Sequence, residues 1–308
     1  MELVKKFRHQ QVKNITNARQ SVCGSGKNGI VELEDGTSMC ARYEKNQYLI
    51  FAEALAFYLS RLLGMDNVPE IVLSKTDESS DQWKGSDFQK LNWKENVEVA
   101  LIKWLQNASS ETFMPMAIQN AYRTGKPVNS DVIHYTAPLY STHSTATAEL
   151  MQWGTMIIFD NLIGHYDRLI LYQPVGKRKI SRRSITSGLY NSLKSPNGKI
   201  WLIDNESAFF YQNKYRDPAY NYIQLLNFHD KMLKTMCIFQ SSLVVELRKL
   251  SNLPSPFHHL WMYASTFEPL FVTFKKDYRF NEFARFFNKR LDDIIDWIDH
   301  CKALSFEK

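Results

Sequence analysis

The chain has 308 residues, of which 44% are hydrophobic, enough to bury one large core or two modest ones and to exclude a disordered or low-complexity protein. Lys and Arg number 38 against 32 Asp and Glu, a net charge of +6, but the basic residues are dispersed apart from Lys177-Arg178-Lys179 and Arg182-Arg183, so no nucleic-acid partner is expected. No apolar run reaches the length of a membrane span, and the first twenty residues, with Lys5, Lys6, Arg8, Lys13 and Arg19, lack the apolar centre of a signal peptide, so a soluble chain with no visible membrane anchor is expected.

Residues 1–29 are polar. Gly24-Ser25-Gly26-Lys27-Asn28-Gly29 has no Ser or Thr after its Lys and reads as a flexible turn, not a phosphate loop. Ile30 to Leu33 and Met39 to Tyr43 flank Asp35-Gly36 and read as a hairpin. Gln47 to Leu63 reads as a helix stopped by Gly64, apolar nearly all round and therefore packed on more than one face. Its one carboxylate, Glu53, needs a cation, a metal or several donors to offset burial. Glu53 is thus a candidate site residue or the partner of Arg61 or Arg42 in a structural salt bridge.

Asn67-Val68-Pro69 leads into a short strand, Ile71 to Leu73, followed by a polar loop over Thr76 to Gly85. Val97 to Leu105 fits strand or helix. Residues 107–147, rich in Ser, Thr, Pro and Tyr, read as an irregular, variable loop region. Ala148 to Leu162 returns to an apolar helical pattern that ends close to Asp167. A basic, Ser-rich stretch then loops out before Lys199 to Ile203, a short strand running into Asp204. From Asp230 the chain is mainly helical, and Phe283, Phe286, Phe287, Leu291, Ile294, Ile298 and Cys301 fall at helical spacings within Tyr278 to Ala303, a stripe read as core.

Two acidic stretches stand out, Ile163-Gly164-His165-Tyr166-Asp167-Arg168 and Trp201-Leu202-Ile203-Asp204-Asn205-Glu206. Each sets a carboxylate directly after an apolar or aromatic run, where a buried segment ends at a cleft. One such carboxylate is suited to accept the proton of an attacking hydroxyl, and the other to hold a divalent metal beside nucleotide phosphates. The competing reading is that Asp before Arg or Asn caps a helix or closes a turn.

Cys23, Cys40, Cys237 and Cys301 show no CxxC pairing, which argues against a zinc site. They suit two disulfides, Cys23 with Cys40 and Cys237 with Cys301, or equally four buried thiols. Sequons occur at Asn14, Asn107 and Asn205. Glycosylation is expected at Asn14 and Asn107, and not at Asn205, where a glycan would block the acidic motif.

Several of these segments together resemble the Four-jointed family of atypical secretory-pathway kinases, related to the Golgi casein kinase and the proteoglycan xylose kinase. The matching pieces are Asp35-Gly36-Thr37 with Cys40-Ala41-Arg42-Tyr43, the helix from Ala52 to Gly64 around Glu53, and Asn67-Val68-Pro69. They continue with Ile158-Phe159-Asp160-Asn161-Leu162, the two acidic stretches, and Cys237-Ile238-Phe239. In order, they span about residues 30–240.

The resemblance implies an α+β, two-lobed, protein-kinase-like fold, with a small mixed lobe over 30–106 and a mainly helical lobe following the loop region within 107–308. It implies that Asp167 is the catalytic base, Asp204 a metal ligand, and Glu53 a contributor to the metal or nucleotide-phosphate site. ATP is the expected phosphoryl donor, with Mn²⁺ commonly preferred over Mg²⁺. Where related kinases carry a phosphate-binding Lys, this chain offers Arg42, with Lys45 three residues on, as the nucleotide-phosphate contacts. The implied reaction is phosphorylation of Ser or Thr in extracellular cadherin-domain proteins of Fat and Dachsous type, in the Golgi lumen or after secretion, with effects on planar polarity and growth. A non-catalytic scaffold of the same fold and a glycan (xylose) kinase are the alternatives.

Overall fold

A computed structural model of the chain describes residues 1–18, 23, 27–44, 46–109, 112–128, 144–165, 168–169, 189–209, 222–274, 276 and 278–306. Lys45, Asp167 and the basic stretch at 177–183 lie outside the described residues.

An antiparallel five-stranded sheet forms the first half, in the order β1-β2-β3-β5-β4: β1 (Val12–Asn17), β2 (Gly29–Leu33), β3 (Ser38–Tyr43), β4 (Ile71–Lys75) and β5 (Glu98–Lys103). The β2–β3 hairpin turns at Asp35-Gly36 as the sequence indicates. Gly36 takes φ +81°, and Asp35 Oδ1 accepts the Thr37 amide at 2.9 Å. Lys6 holds the other Asp35 oxygen at 2.7 Å. Lys6 belongs to α1 (Glu2–Arg8), whose Val4 and Phe7 are buried. Residues 1–29, read above as merely polar, therefore supply a packed helix and an edge strand. Val97 to Leu105, which fitted strand or helix, is the strand β5. Its central run Val99-Ala100-Leu101-Ile102 is buried because β3 and β4 pair with it on both sides.

Helix α2 (Gln47–Leu62) crosses the sheet. Asn46 Oδ1 accepts the Tyr48 amide at 3.2 Å at its start, and Gly64, at φ +68°, follows its end. Every residue from Ile50 to Ser60 is buried. One side of α2 packs on β4 and β5, and the other meets the helical half and the turn at Asn205–Ser207. Glu53 is thus carried into the interior at the junction of the two halves.

The second half is helical, with α3 (Met116–Thr124), α4 (Ser144–Ile163), α5 (Tyr222–Leu233), α6 (Ser241–Ser251), α7 (Pro256–Phe267), α8 (Leu270–Thr273) and α9 (Tyr278–Phe306), plus the hairpin β6–β7 (Ser192–Lys194, Ile200–Leu202). Helix α3 lies in the region expected to be irregular; its 9 residues bury only Ile118, Gln119 and Ala121, too few positions for a helical period to stand out. In α9, Phe283, Phe287, Leu291, Ile294, Ile298 and Cys301 are buried core, whereas Phe286 is only half-buried and lines a cavity. Disulfides join Cys23 to Cys40 and Cys237 to Cys301, with Cα separations of 5.6 and 5.4 Å. The thiol alternative is therefore set aside. The halves are also tied by Glu268, directly after α7. Its carboxylate meets Arg8 Nη2 at 2.7 Å, the Leu73 amide at 2.9 Å and Tyr58 Oη at 3.4 Å.

Candidate functional site

Arg42 is the second-last residue of β3, paired with Ala100, and its side chain is directed into the interior. Its Nη2 lies 2.7 Å from Asp204 Oδ1 and its Nη1 2.6 Å from Glu206 Oε2. Burial opposes the Arg42 charge, but Asp204, Glu206 and Glu53 outweigh it and hold the guanidinium above its ordinary pKa.

Glu53 reaches the same place from α2. It is 1% exposed, and its Oε1 accepts a 3.4 Å hydrogen bond from Asn205 Nδ2. Its Oε2 has no hydrogen-bond partner among the described residues. Burial, opposed by Arg42 and reinforced by Asp204 and Glu206, pushes the Glu53 carboxyl up to about 7. The postulated Arg61 partner points elsewhere: its guanidinium bonds the Met65 and Val68 carbonyls at 2.6 and 2.8 Å. An uncompensated buried carboxylate oxygen is costly in free energy.

Asp204 lies two residues beyond the end of β7 and adopts φ +57° and ψ 54°, in the left-handed region. Asp is one of the few non-glycine residues that occupies this region at modest strain. The bend lets β7 stop abruptly and turns Asp204, Asn205 and Glu206 back toward α2.

A buried polar brace fixes that bend. Arg168 is fully buried; its Nε is 3.1 Å from both oxygens of Asp160, its Nη2 donates to Asn205 Oδ1 at 2.6 Å, and its Nη1 donates to the carbonyls of Ile203 (3.0 Å) and Asn191. His165 Nδ1 accepts the Arg168 amide at 3.2 Å, so Nε2 carries the proton and donates to the Asp204 carbonyl at 2.9 Å. Burial, with Arg168 nearby, holds His165 well below its ordinary pKa and therefore neutral. The two acidic stretches are in this way bonded to each other through His165 and Arg168.

The structure brings together Glu53, Arg42 and Asp204 of the residues singled out in the sequence; Asp167 and Lys45 lie outside the described residues. Glu206, Asn205, Arg168, Asp160 and His165 carry the geometry without having been assigned roles. Their signal was their place in the two acidic motifs and, for Asp160, in the preceding Ile158–Leu162 segment. Asn205 is fully buried with its amide committed to Glu53 and Arg168, while Asn14 and Asn107 are exposed.

Among the described residues no group of three His, Cys, Asp or Glu converges as a preformed metal cluster, and the Arg42 guanidinium is paired with two of the carboxylates. The donor set nevertheless suits a hard divalent cation. Mg²⁺-type ions take one or two protein carboxylates and complete their shell with phosphate and water oxygens, and the unpartnered Oε2 of Glu53 beside Asp204 offers that pair. A separate cavity of about 510 Å³ lies in the helical half, lined by Asn161, His229, Asp230, Phe286, Arg290 and Trp297 among others. None of Arg42, Glu53 and Asp204 borders it.

Against known proteins, the Four-jointed box protein middle domain matches residues 1–304. Four-jointed box protein 1 of Xiphophorus maculatus is 26% identical over 287 residues, covering 91% of this chain and 62% of that protein. The extracellular serine/threonine protein kinase four-jointed of Drosophila melanogaster is 24% identical over 273 residues, covering 74% of this chain and 45% of that one. The chain therefore spans less than two thirds of the length of these relatives. Two crystal structures of the Golgi casein kinase, the second with Mn/ADP bound, superpose with TM-scores of 0.58 and 0.56 at 12% identity, over 97% of this chain and 75% of theirs. The fold is accordingly α+β and kinase-like, with a small mixed lobe built on the sheet and α2 and a mainly helical second lobe.

Proposed function

The chain belongs to the Four-jointed box family, and on that premise we propose that it is a secretory-pathway protein kinase that transfers the γ-phosphoryl group of ATP to Ser or Thr hydroxyls of extracellular cadherin-domain proteins. The observation that carries this reading is Glu53, a carboxylate 1% exposed, one of whose oxygens has no hydrogen-bond partner among the described residues, close to Asp204 and Arg42 at the lobe junction. A buried acid of this kind is suited to a cation that arrives with its substrate.

In this reading Asp204 and Glu53 hold Mn²⁺ or Mg²⁺, and Arg42, with Lys45, contacts the nucleotide phosphates. The cation supplies charge neutralisation for the phosphates. Asp167 accepts the proton of the attacking hydroxyl as the new P–O bond forms and ADP leaves with the electrons of the bond that breaks. His165 and Arg168, its near neighbours in the chain, are both bonded to the Asp204–Asn205 turn, which supports a shared site. Location in the Golgi lumen or outside the cell is supported by the two disulfides, which suit an oxidising compartment, and by the name of the Drosophila relative. Among the described residues no helix is long and apolar enough to cross a membrane.

The test is phosphotransfer from ATP with Mn²⁺ to a purified cadherin repeat, with the product mapped by mass spectrometry. Wild-type protein labels the repeat, while Asp167→Ala and Asp204→Ala abolish labelling with the fold retained. Equal labelling by all three proteins rejects the assignments. One observation favours a second reading, a non-catalytic scaffold: Arg42 stands where related kinases carry Lys and is engaged by Asp204 and Glu206. Metal-dependent ATP binding without transfer to any acceptor identifies that case.

A further inference from the structure

Two acidic side chains meet one guanidinium at the lobe junction, with a third close by. Asp204 and Glu206 each place an oxygen at ion-pair distance from Arg42, and Glu53 lies beside them; among the described residues neither Glu53 Oε2 nor the buried Nε of Arg42 has a hydrogen-bond partner. Arg42 therefore sits on carboxylate oxygens that a divalent cation would share, and it retains an unused donor.

We infer that Arg42 makes divalent-cation binding conditional on nucleotide: it holds Asp204 and Glu206 until phosphate oxygens offer it other acceptors, and releases those carboxylates to the cation at the same moment. The inference rests on the phosphotransferase reading above and adds to it an order of events. Neither half of the exchange is favourable by itself. A cation entering alone meets the fixed positive charge of Arg42 at short range in a poorly solvated site, where like charges repel strongly. A phosphate entering alone draws Arg42 away and leaves two or three carboxylates facing one another without a counter-charge. With both present every charge has a partner, because a guanidinium matches phosphate in two-point hydrogen bonding as well as it matches carboxylate. Glu206 acquires a role here as the second arm that retains Arg42, a positioning residue that sequence spacing alone did not single out.

The experiment measures Mn²⁺ affinity by the electron paramagnetic resonance signal of the free ion, with and without saturating ADP and after subtraction of the Mn·ADP complex formed in solution. In wild-type protein ADP strengthens Mn²⁺ binding by about tenfold or more, within the range usual for coupled sites. Arg42→Gln binds Mn²⁺ alone more tightly than wild type does, loses most of that enhancement, and gains melting temperature with Mn²⁺ alone. Arg42→Lys, which keeps the charge, retains the enhancement in part. If Arg42→Gln does not fold, the wild-type arm and Arg42→Lys decide. Wild-type protein that binds Mn²⁺ equally well without ADP overturns the inference and leaves the kinase reading standing, as does undiminished coupling in Arg42→Gln. Wild-type protein that binds neither Mn²⁺ nor Mn·ADP removes both.

Discussion

Arg168 closes on Asp160, eight residues earlier in the chain, with Nε 3.1 Å from each carboxylate oxygen and both residues fully buried. The same guanidinium holds Asn205, so an ion pair inside the helical lobe determines how the Asp204 turn faces α2.

Replacing Arg168 with Met strands Asp160 as a buried, unpaired charge, which costs about 3–5 kcal/mol. Urea denaturation of Arg168→Met should show that loss. The double variant Arg168→Met with Asp160→Asn should recover a large part of it, since the stranded charge is gone. A single variant as stable as wild type contradicts the brace.

Burial raises Glu268 to about 7, against the opposing effects of Arg8, the Leu73 amide and Tyr58. The folded protein therefore binds this proton more tightly than the unfolded chain, and its contribution is full below the ordinary Glu value of 4.5 and is lost as pH rises through about 7. Across that window the loss amounts to roughly 3 kcal/mol at about 1.4 kcal/mol per unit. Glu53 and Asp160 titrate in the same direction, and His165 and His229 in the opposite one. The quantity to measure is thus the difference between wild type and Glu268→Gln in chemical denaturation at pH 5 and pH 8. The decline should be smaller in the variant, and identical slopes exclude this role for Glu268.

At Asp204 the backbone and the chemistry can be separated. Asn tolerates the left-handed conformation, whereas Ala pays about 1–2 kcal/mol there. Asp204→Asn should abolish phosphotransfer while staying close to wild type in melting temperature, and Asp204→Ala should lose activity and melt lower. Full activity in Asp204→Asn would count against a metal-ligand role.

The two disulfides close loops of different length, with separations of 17 and 64 residues. On a chain-entropy account they contribute about 3 and about 4 kcal/mol respectively. Cys237→Ala with Cys301→Ala should therefore lower thermal stability more than Cys23→Ala with Cys40→Ala. Non-reducing peptide mapping checks the pairing directly.

Gly154 lies on the face of α4 that meets the Ile238 carbonyl, and an added Cβ would fall well inside contact distance of that oxygen. Because the opposing atom is backbone next to the Cys237–Cys301 bridge, it has little room to yield. Gly154→Ala should cost about 1–3 kcal/mol, as overpacking does, instead of gaining the usual helical benefit of Ala. Calorimetry of that one variant is sufficient.

Much of the framework was legible in the sequence because its signals are local. Asp35-Gly36 marked the β2–β3 hairpin, Gly64 marked the end of α2, and the seven-residue apolar stripe of α9 gave six buried positions. Helix α1 and strand β1 escaped notice because a short edge element buries only Val4, Phe7 and Val12 in an otherwise polar run. Likewise β5 became distinguishable from a helix only through pairing on both sides.

The sequence by itself singled out Asp204 as a carboxylate following an apolar run and Glu53 as the one carboxylate of an apolar helix, and the family resemblance added Arg42. Only the tertiary structure decided that Arg42 is held by Asp204 and Glu206, that one Glu53 oxygen has no hydrogen-bond partner among the described residues and that Arg168 and His165 join the two acidic motifs. Backbone preference and periodicity act over a few residues, whereas desolvation and Coulomb attraction depend on burial and distance between groups brought together from far apart in the chain.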